Sequence, residues 1–167
     1  CYDSLLVYVP EPYPLKIVAV KVDSVNCFNG ADGMIAIQAV GGSGAYRYYW
    51  ADSMQRTKTV AYRLKTGTYK CWTRDYHNCY DSLFVFVPQP DKLQLQVEVN
   101  DSVNCYGGSD GYVLLKTLGG NGGVVYTWND PLKQSSALLQ GVKAATYKCR
   151  VKDLYGCKDS LMVNVAQ

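Results

Sequence analysis

Apolar and polar residues alternate along short stretches of this chain, and this pattern predicts β-strands. Residues 93–99 read Leu-Gln-Leu-Gln-Val-Glu-Val, which is the two-residue period of a strand with one buried face. A second stretch places Tyr46, Tyr48 and Trp50 two apart, so these side chains share one face. No stretch sustains the 3.6-residue period of a helix, so we expect almost no helix.

The strand pattern repeats along the chain. Cys1, Cys79 and Cys157 each begin a copy of one apolar strand, and the copies are 78 residues apart (79 − 1 = 157 − 79 = 78). A fixed period of this kind marks a repeat array. Residues 13–90 therefore form repeat one, and residues 91–167 form repeat two, aligned without a gap.

The first residues resemble the end of a repeat. Residues 1–12 match residues 79–90, so they predict the last strand and linker of a preceding repeat. Both linkers contain Pro-x-Pro, and proline restricts the backbone, so we expect short, stiff boundaries between domains. This organisation indicates a fragment of a longer protein.

Composition narrows the class of protein. Apolar residues make up 48% and charged residues 19%, as in a globular and not a disordered chain. The net charge of +3 is weak and the basic residues are scattered, so no nucleic-acid partner is predicted. No apolar run approaches the roughly 18 residues of a membrane span, so we expect no membrane insertion.

Six or seven short strands in each repeat, separated by turn signals, predict an all-β fold of two tandem immunoglobulin-like β-sandwich domains, with a leading strand from a preceding repeat. Trp50 on the third strand and Tyr69 two residues before Cys71 occupy the positions of the core tryptophan and tyrosine corner of such domains. The aromatic residues expected to form the structural core are Trp50, Tyr48 and Tyr69 in repeat one, and Trp128, Tyr126 and Tyr147 in repeat two.

An ordered set of motifs now carries a family resemblance. The motifs are Cys-x-x-Gly-x-Asp-Gly at 27–33, Gly-Gly-x-Gly at 41–44, Tyr-x-Tyr-x-Trp at 46–50 and Gly-Thr-Tyr at 67–69, followed by Asp75 and Cys79. Repeat two carries matching residues at Cys105, Gly108, Asp110, Gly111, Gly119, Gly120, Tyr126, Trp128, Tyr147, Asp153, Gly156 and Cys157. The set resembles the SprB-type repeat of gliding-motility and cell-surface adhesins of Bacteroidetes.

That resemblance covers the whole chain and implies a function. Repeats of this type are similar to parts of very large, filamentous surface proteins that leave the cell by type IX secretion and serve gliding motility or adhesion. The resemblance implies an extracellular, cell-surface location and identifies no ligand. Cys71 and Cys149 depart from the pattern, because an aliphatic residue is expected at those positions.

Seven cysteines without a Cys-x-x-Cys zinc pattern indicate an oxidising, extracellular compartment. The resemblance implies a bond between Cys27 and Cys79. In an immunoglobulin-like topology, however, these two residues lie at opposite poles, roughly 23 Å apart. A disulfide requires Cα atoms within about 7 Å, so this pairing conflicts with the predicted topology.

Two other pairings stay open. Cys27 could bond to Cys71 in the same repeat, and the matching bond would join Cys105 and Cys149. Alternatively, Cys27 could bond to Cys157 and staple the two repeats together. The second pairing leaves Cys71 and Cys149 as buried thiols, and Cys1, Cys79 and Cys105 as cysteines whose partners lie outside this sequence.

No arrangement predicts catalysis, a metal site or a cofactor. The single histidine, His77, lies in a predicted turn and is replaced by Tyr155 in repeat two. The aspartates beside the same turns, Asp75 and Asp153, offer too few oxygens for calcium and are expected to cap turns.

Tyrosine is abundant, with 15 residues, and some of it should be exposed. Exposed aromatic rings supply rigid contact area for proteins or glycans, although strands favour tyrosine for packing reasons alone. The candidate surface contacts are Tyr49, Tyr62, Trp72 and Tyr80.

Two functions are consistent with these patterns. The first is a non-catalytic spacer and adhesion module of a secreted filamentous surface protein, whose expected partners are neighbouring repeats and other surface proteins or glycans. The second is a carbohydrate- or protein-binding accessory module of a secreted enzyme. A spacer should present equivalent surfaces in both repeats, whereas a binding module should carry an aromatic groove in only one.

Overall fold

The computed structural model describes all 167 residues as twelve β-strands without a helix. The strands of repeat one are β1 (Lys16–Asp23), β2 (Gly33–Val40), β3 (Arg47–Trp50), β4 (Val60–Leu64), β5 (Gly67–Arg74) and β6 (Tyr80–Val87). Those of repeat two are β7 (Gln94–Asp101), β8 (Gly111–Leu118), β9 (Val125–Trp128), β10 (Leu138–Val142), β11 (Ala145–Lys152) and β12 (Lys158–Val165). The all-β prediction is confirmed.

Two compact units divide the chain. Unit 1 comprises residues Cys1–Asp23 and Gly33–Val87, and unit 2 comprises Ser24–Asp32 and Pro88–Gln167. The loop Ser24–Asp32 therefore belongs to repeat one in the sequence but to unit 2 by its contacts.

Unit 1 consists of two antiparallel three-stranded sheets, in the orders β1-β2-β4 and β3-β5-β6. In a seven-stranded immunoglobulin domain, the first, second, fourth and fifth strands form one sheet, and the third, sixth and seventh form the other. Unit 1 has this topology without the fourth strand. Alternate residues of β2 and β6, such as Ile35, Ile37 and Val87, are buried and form the core.

Unit 2 has the same topology, with sheets in the orders β7-β8-β10 and β9-β11-β12. Its core contains Val113, Leu115 and Leu139. The prediction of two tandem immunoglobulin-like sandwiches is therefore confirmed.

The two tryptophans lie at equivalent places in the two cores. Trp50 is 3% exposed and Trp128 is 2% exposed, and each ring N–H donates a hydrogen bond to a backbone carbonyl, of Lys58 at 2.9 Å and of Ser136 at 3.0 Å. A buried indole needs such a partner, because an unpaired N–H in the core is costly.

The tyrosines of the predicted core lie mainly at its edge. Tyr147 is buried, whereas Tyr48, Tyr69 and Tyr126 are half-buried. The hydroxyls of Tyr69 and Tyr147 donate to the carbonyls of the residues four positions earlier, at 3.1 and 3.0 Å, which is the tyrosine-corner geometry. Each ring therefore stays near the rim, where its hydroxyl can reach the backbone.

The leading strand is not formed. Residues 1–15 contain no strand, and residues 1–12 are exposed throughout. The matching residues 79–87 form β6 by pairing with β5. The sequence holds only two copies of the β5 strand, β5 and β11, and each already pairs with the closing strand of its own repeat. Residues 1–12 therefore have no partner strand.

Candidate functional site

One disulfide joins Cys27 to Cys157, with Cα atoms 5.6 Å apart. Both residues lie in unit 2, although 130 residues separate them and they come from different repeats of the sequence. Of the two pairings left open by the sequence, the structure contains the bond between repeats. The pairings of Cys27 with Cys71 and of Cys105 with Cys149 are wrong, because Cys27 is bonded to Cys157 and the other three cysteines are free thiols. The bond of Cys27 to Cys157 likewise excludes its pairing with Cys79.

Asp153 fixes the turn that presents Cys157. Its carboxylate accepts hydrogen bonds from the backbone N–H groups of Cys157 at 2.9 Å, Tyr155 at 3.0 Å and Asn121 at 3.0 Å. Burial alone would raise the pKa of Asp153, but these hydrogen bonds together hold the pKa below its ordinary value. The predicted turn-capping role of this residue is thus seen in the contacts.

Hydrogen bonds also fix the loop that carries Cys27. The backbone N–H of Gly30 donates to the carbonyl of Cys27 at 2.8 Å, and that of Asn26 donates to Asp32 Oδ1 at 3.0 Å. A Cβ at Gly30 would lie 2.7 Å from a methyl of Val25, which is itself buried, so this position requires glycine. The side-chain amide of Asn121 donates to the carbonyl of Asn26 at 2.7 Å, beside the disulfide.

The exposed cysteines Cys79 and Cys105 have no disulfide partner. Their backbones are nevertheless held by the same hydrogen bonds as those of Cys157 and Cys27. Asp75 accepts from the backbone N–H of Cys79 at 2.9 Å, as Asp153 does from Cys157. The hydrogen bond of Ser43 is the main cause that lowers the pKa of Asp75. The N–H of Gly108 donates to the carbonyl of Cys105 at 2.9 Å, as that of Gly30 does to Cys27.

The same likeness extends to the carboxylate of the Cys105 loop. Asp110 Oδ1 accepts from the backbone N–H of Asn104 at 3.2 Å, and the Asn104 side chain is the main cause that lowers the pKa of Asp110. Cys79 and Cys105 are therefore shaped like the two halves of the bond between Cys27 and Cys157.

The buried thiols of Cys71 and Cys149 have a different chemistry. Burial raises the pKa of each to about 11, so both remain protonated and unreactive at neutral pH. Each is 0% exposed and acts as a small apolar residue in the core.

The four candidate contact residues do not form one cluster. Tyr49 and Trp72 are half-buried because they stack on each other, with ring centroids 5.5 Å apart and planes 13° apart. Tyr80 is the first residue of β6 in the same sheet, and it is 69% exposed. Tyr62 is exposed on β4, in the other sheet.

Sequence reasoning missed Phe84 and Phe86, which are exposed on the same face of β6 as Tyr80. The signal was available, because Tyr80, Phe84 and Phe86 are separated by even numbers of residues in a predicted strand.

The neighbourhood of His77 does not assemble a catalytic group. Its Nδ1 lies 2.6 Å from Ser43 Oγ, but the Asp75 carboxylate accepts from backbone N–H groups and makes no hydrogen bond with the imidazole ring. No cluster of three or more histidine, cysteine, aspartate or glutamate side chains is arranged to hold a metal ion. No helix is long and apolar enough to cross a membrane.

Strand order and core thus define a pair of immunoglobulin-like sandwiches, and comparison with known families gives a more specific result. The SprB repeat matches residues 19–55 and 98–132, one segment in each repeat. The resemblance inferred from the motifs is confirmed, because one segment in each repeat matches the SprB repeat.

Among curated proteins, none matches this chain. Solved structures with a similar fold include a 282-residue C-terminal fragment of intimin in complex with the intimin-binding domain of its translocated receptor, at 15% identity and a TM-score of 0.45. That match covers 91% of this chain and 64% of the fragment. The IG1 and IG2 domains of DIP-gamma match at 11% identity and a TM-score of 0.42, over 92% of this chain and 97% of that chain. At these scores the fold assignment rests on the strand order above.

Proposed function

We propose that these repeats are non-catalytic structural and adhesive modules of a large extracellular surface protein, and that disulfides link each repeat to the next. The SprB repeats support the cell-surface and adhesion part of this proposal. By the same resemblance, we propose secretion by the type IX route and a role in gliding motility or attachment.

The observation that carries the cross-linking is the disulfide between Cys27 and Cys157. It connects the loop after the first strand of repeat one to the turn before the last strand of repeat two. The repeats share a 78-residue period, so the same bond can form between any repeat and its successor. Cys105 would then bond to the repeat that follows, and Cys79 to the repeat that precedes repeat one.

The unpaired cysteines support this assignment. Asp75 and the Asp110 loop hold Cys79 and Cys105 in the backbone geometry of their bonded counterparts. Exposed free thiols are unusual in an oxidising compartment, because they react with other thiols and oxidants. A neighbouring repeat would remove both of them.

The physical benefit is mechanical. A disulfide constrains the unfolded chain and stabilises the folded one by about 2–4 kcal/mol. A bond across 130 residues also spans the linker Pro88–Pro90, so force applied along the chain meets a covalent connection that bypasses this segment.

A three-repeat chain tests the proposal. Residues 1–167 would be followed by a copy of residues 90–167, which keeps the 78-residue period, and the chain would be expressed under oxidising conditions and digested without reduction. We expect Cys105 in a peptide joined to the closing-turn cysteine of the added copy, in addition to the peptide that joins Cys27 and Cys157. The control variant Cys105→Ser should lose only the first of these peptides.

Two outcomes would contradict the proposed cross-linking. If Cys105 remains free in the folded three-repeat chain, or bonds to Cys149, repeats are not cross-linked in series. The bond between Cys27 and Cys157 would then be particular to this pair.

A further inference from the structure

The outward side of the β3-β5-β6 sheet in unit 1 carries a group of aromatic side chains that folding does not require. We call this surface the aromatic face, and it consists of Tyr49, Trp72, Tyr80, Phe84 and Phe86. Tyr80, Phe84 and Phe86 are 69%, 65% and 59% exposed. Contiguous exposed apolar groups are unusual on a soluble domain and mark interaction sites.

The rings of the aromatic face are positioned by strand register. Tyr49 on β3 is directly opposite Trp72 on β5, and the two stack at 5.5 Å. On β6, the small side chain of Ser82 opposes Trp72, on the side of the indole away from Tyr49. The outward positions from Tyr80 to Phe86 extend over six residues of strand, about 20 Å. This is a long, flat surface and not a deep pocket.

Positive charge borders these rings. Arg47 and Arg74 are direct neighbours across β3 and β5, and the Nζ of Lys70 lies 5.5 Å from the centre of the Phe84 ring. Like charges directly opposite each other on adjacent strands are destabilising. Neither arginine forms a salt bridge. The chain has two salt bridges, and these join Lys21 to Asp23 and Arg56 to Asp52.

Two surface depressions share Arg74 as a lining residue. One of about 240 Å³ is lined by Lys70, Trp72, Arg74, Tyr80 and Ser82. Another of about 340 Å³ includes Arg47, Tyr49 and Arg74. Asp75 borders the second depression, but its carboxylate already accepts three backbone N–H groups. The cationic groups therefore lack a counter-ion within the protein.

Repeat two provides an internal comparison. The positions equivalent to the five aromatic residues are Thr127, Arg150, Lys158, Met162 and Asn164. The same side of its β9-β11-β12 sheet retains positive charge, through Lys148, Arg150, Lys152 and Lys158, but has no aromatic ring. Positive charge is thus common to both repeats, whereas the rings belong to repeat one alone.

We propose that the aromatic face binds an acidic polysaccharide, with sugar rings lying on the Trp72–Tyr49 stack and carboxylates contacting Arg47 and Arg74. The apolar C–H face of a sugar ring packs against the electron-rich face of an aromatic ring. A guanidinium forms strong, paired hydrogen bonds with a carboxylate. A uronic-acid polymer presents both groups in every unit, in an extended chain that fits a flat surface.

This inference goes beyond the cross-linked array, since the face lies within unit 1 and does not depend on either cysteine. Single-stranded nucleic acid also combines stacking with negative charge. The polysaccharide is favoured because the disulfide indicates an extracellular protein and the net charge is only +3.

The test compares binding of oligogalacturonate, a neutral xylo-oligosaccharide and a single-stranded oligonucleotide by titration calorimetry, using the 167-residue chain. The key variant is Tyr49→Thr with Trp72→Arg, which places the repeat-two residues at both positions. Repeat two folds with Thr127 and Arg150 there, so the sheet should tolerate the change, and circular dichroism with thermal melting would verify the fold.

We expect oligogalacturonate to bind, the neutral sugar to bind at least tenfold more weakly, and the double variant to lose at least tenfold in affinity despite its additional positive charge. Arg74→Gln should also lose affinity and reduce the salt dependence of binding. Lys152→Gln at the equivalent position of repeat two is the matched control and should change binding little.

Other results would overturn the proposal. Equal or tighter oligogalacturonate binding by the folded double variant would mean that charge alone attracts the ligand. Tighter binding of the oligonucleotide would assign the face to nucleic acid. No binding of any probe, with a dimer that the double variant abolishes, would assign the face to a second copy of the chain.

Discussion

The two repeats bury mostly the same positions on their inner faces and differ in chemistry on their outer ones. Trp50 and Trp128, Cys71 and Cys149, and the last buried valines of the closing strands are identical pairs, and the exposed fractions within each pair differ by no more than 1%. On the outward side, an aromatic stack in repeat one becomes Thr127 and Arg150 in repeat two. The comparison teaches that the core defines this sandwich, whereas the outer sheet surface is free to change its chemistry.

The repeats also differ in backbone conformation. Ala45, Arg63 and Asn78 adopt positive φ angles of 49°, 56° and 65°. Glycine occupies all three equivalent positions in repeat two, with φ values of 57°, 68° and 87°. Positive φ is unfavourable for residues with a Cβ, so repeat one accepts local strain that repeat two avoids.

The largest effect should come from removing a core tryptophan. Trp50→Ala and Trp128→Ala should each lower the free energy of unfolding by about 3–5 kcal/mol, because each leaves a large cavity and an unpaired backbone carbonyl. Thermal denaturation by circular dichroism would measure the loss. Trp72→Ala is the control on the outer face and should cost far less. A loss below about 1 kcal/mol for Trp50→Ala would contradict its place in the core.

The disulfide should rank second. Cys27→Ser with Cys157→Ser should lower the free energy of unfolding by about 2–4 kcal/mol, because the unfolded chain gains the freedom of a long loop. Denaturant titration of the double variant against the unaltered chain measures this change. Cys79→Ser, at the equivalent but unpaired position, should leave stability unchanged. If Cys79→Ser lowered the free energy of unfolding as much as the double variant does, the disulfide would not be the source of the stabilisation.

Acid should weaken both repeats through their turn aspartates. Asp75 and Asp153 have lowered pKa values in the folded protein, so their stabilisation is present above the unfolded pKa of about 4 and is lost as pH falls further. We expect the melting temperature to fall between about pH 4.5 and pH 2.5. The variant Asp75→Asn with Asp153→Asn should melt lower at neutral pH, but with a smaller decline in acid. An unchanged decline would assign the acid sensitivity to other carboxylates.

The smallest effect concerns backbone strain. Ala45→Gly should raise the free energy of unfolding by about 0.5–1 kcal/mol, since glycine adopts positive φ without a steric penalty. Differential scanning calorimetry can resolve this shift. Gly123→Ala, the reverse change in repeat two, should destabilise, and the Cβ would also approach Leu154 within 3.3 Å. Destabilisation by Ala45→Gly would show that the alanine is not strained.

Sequence patterns predicted the strands because one face of each is buried, and the two-residue period makes that visible. They could not predict the state of residues 1–12, whose strand character depends on a partner strand. They also left the pairing of Cys27 open, because disulfide connectivity depends on which loops fold together. The contacts that place Ser24–Asp32 in unit 2 arise only in three dimensions.

The distance in sequence between Cys27 and Cys157 has a consequence for the order of events during synthesis. A chain made from its N-terminus exposes Cys79 after 52 further residues (79 − 27 = 52), long before Cys157 appears. Oxidation of Cys27 to its native partner must therefore wait until the last turn of the following repeat has been made. Early oxidation favours the wrong neighbour, so a reducing environment until both repeats are complete protects the correct bond.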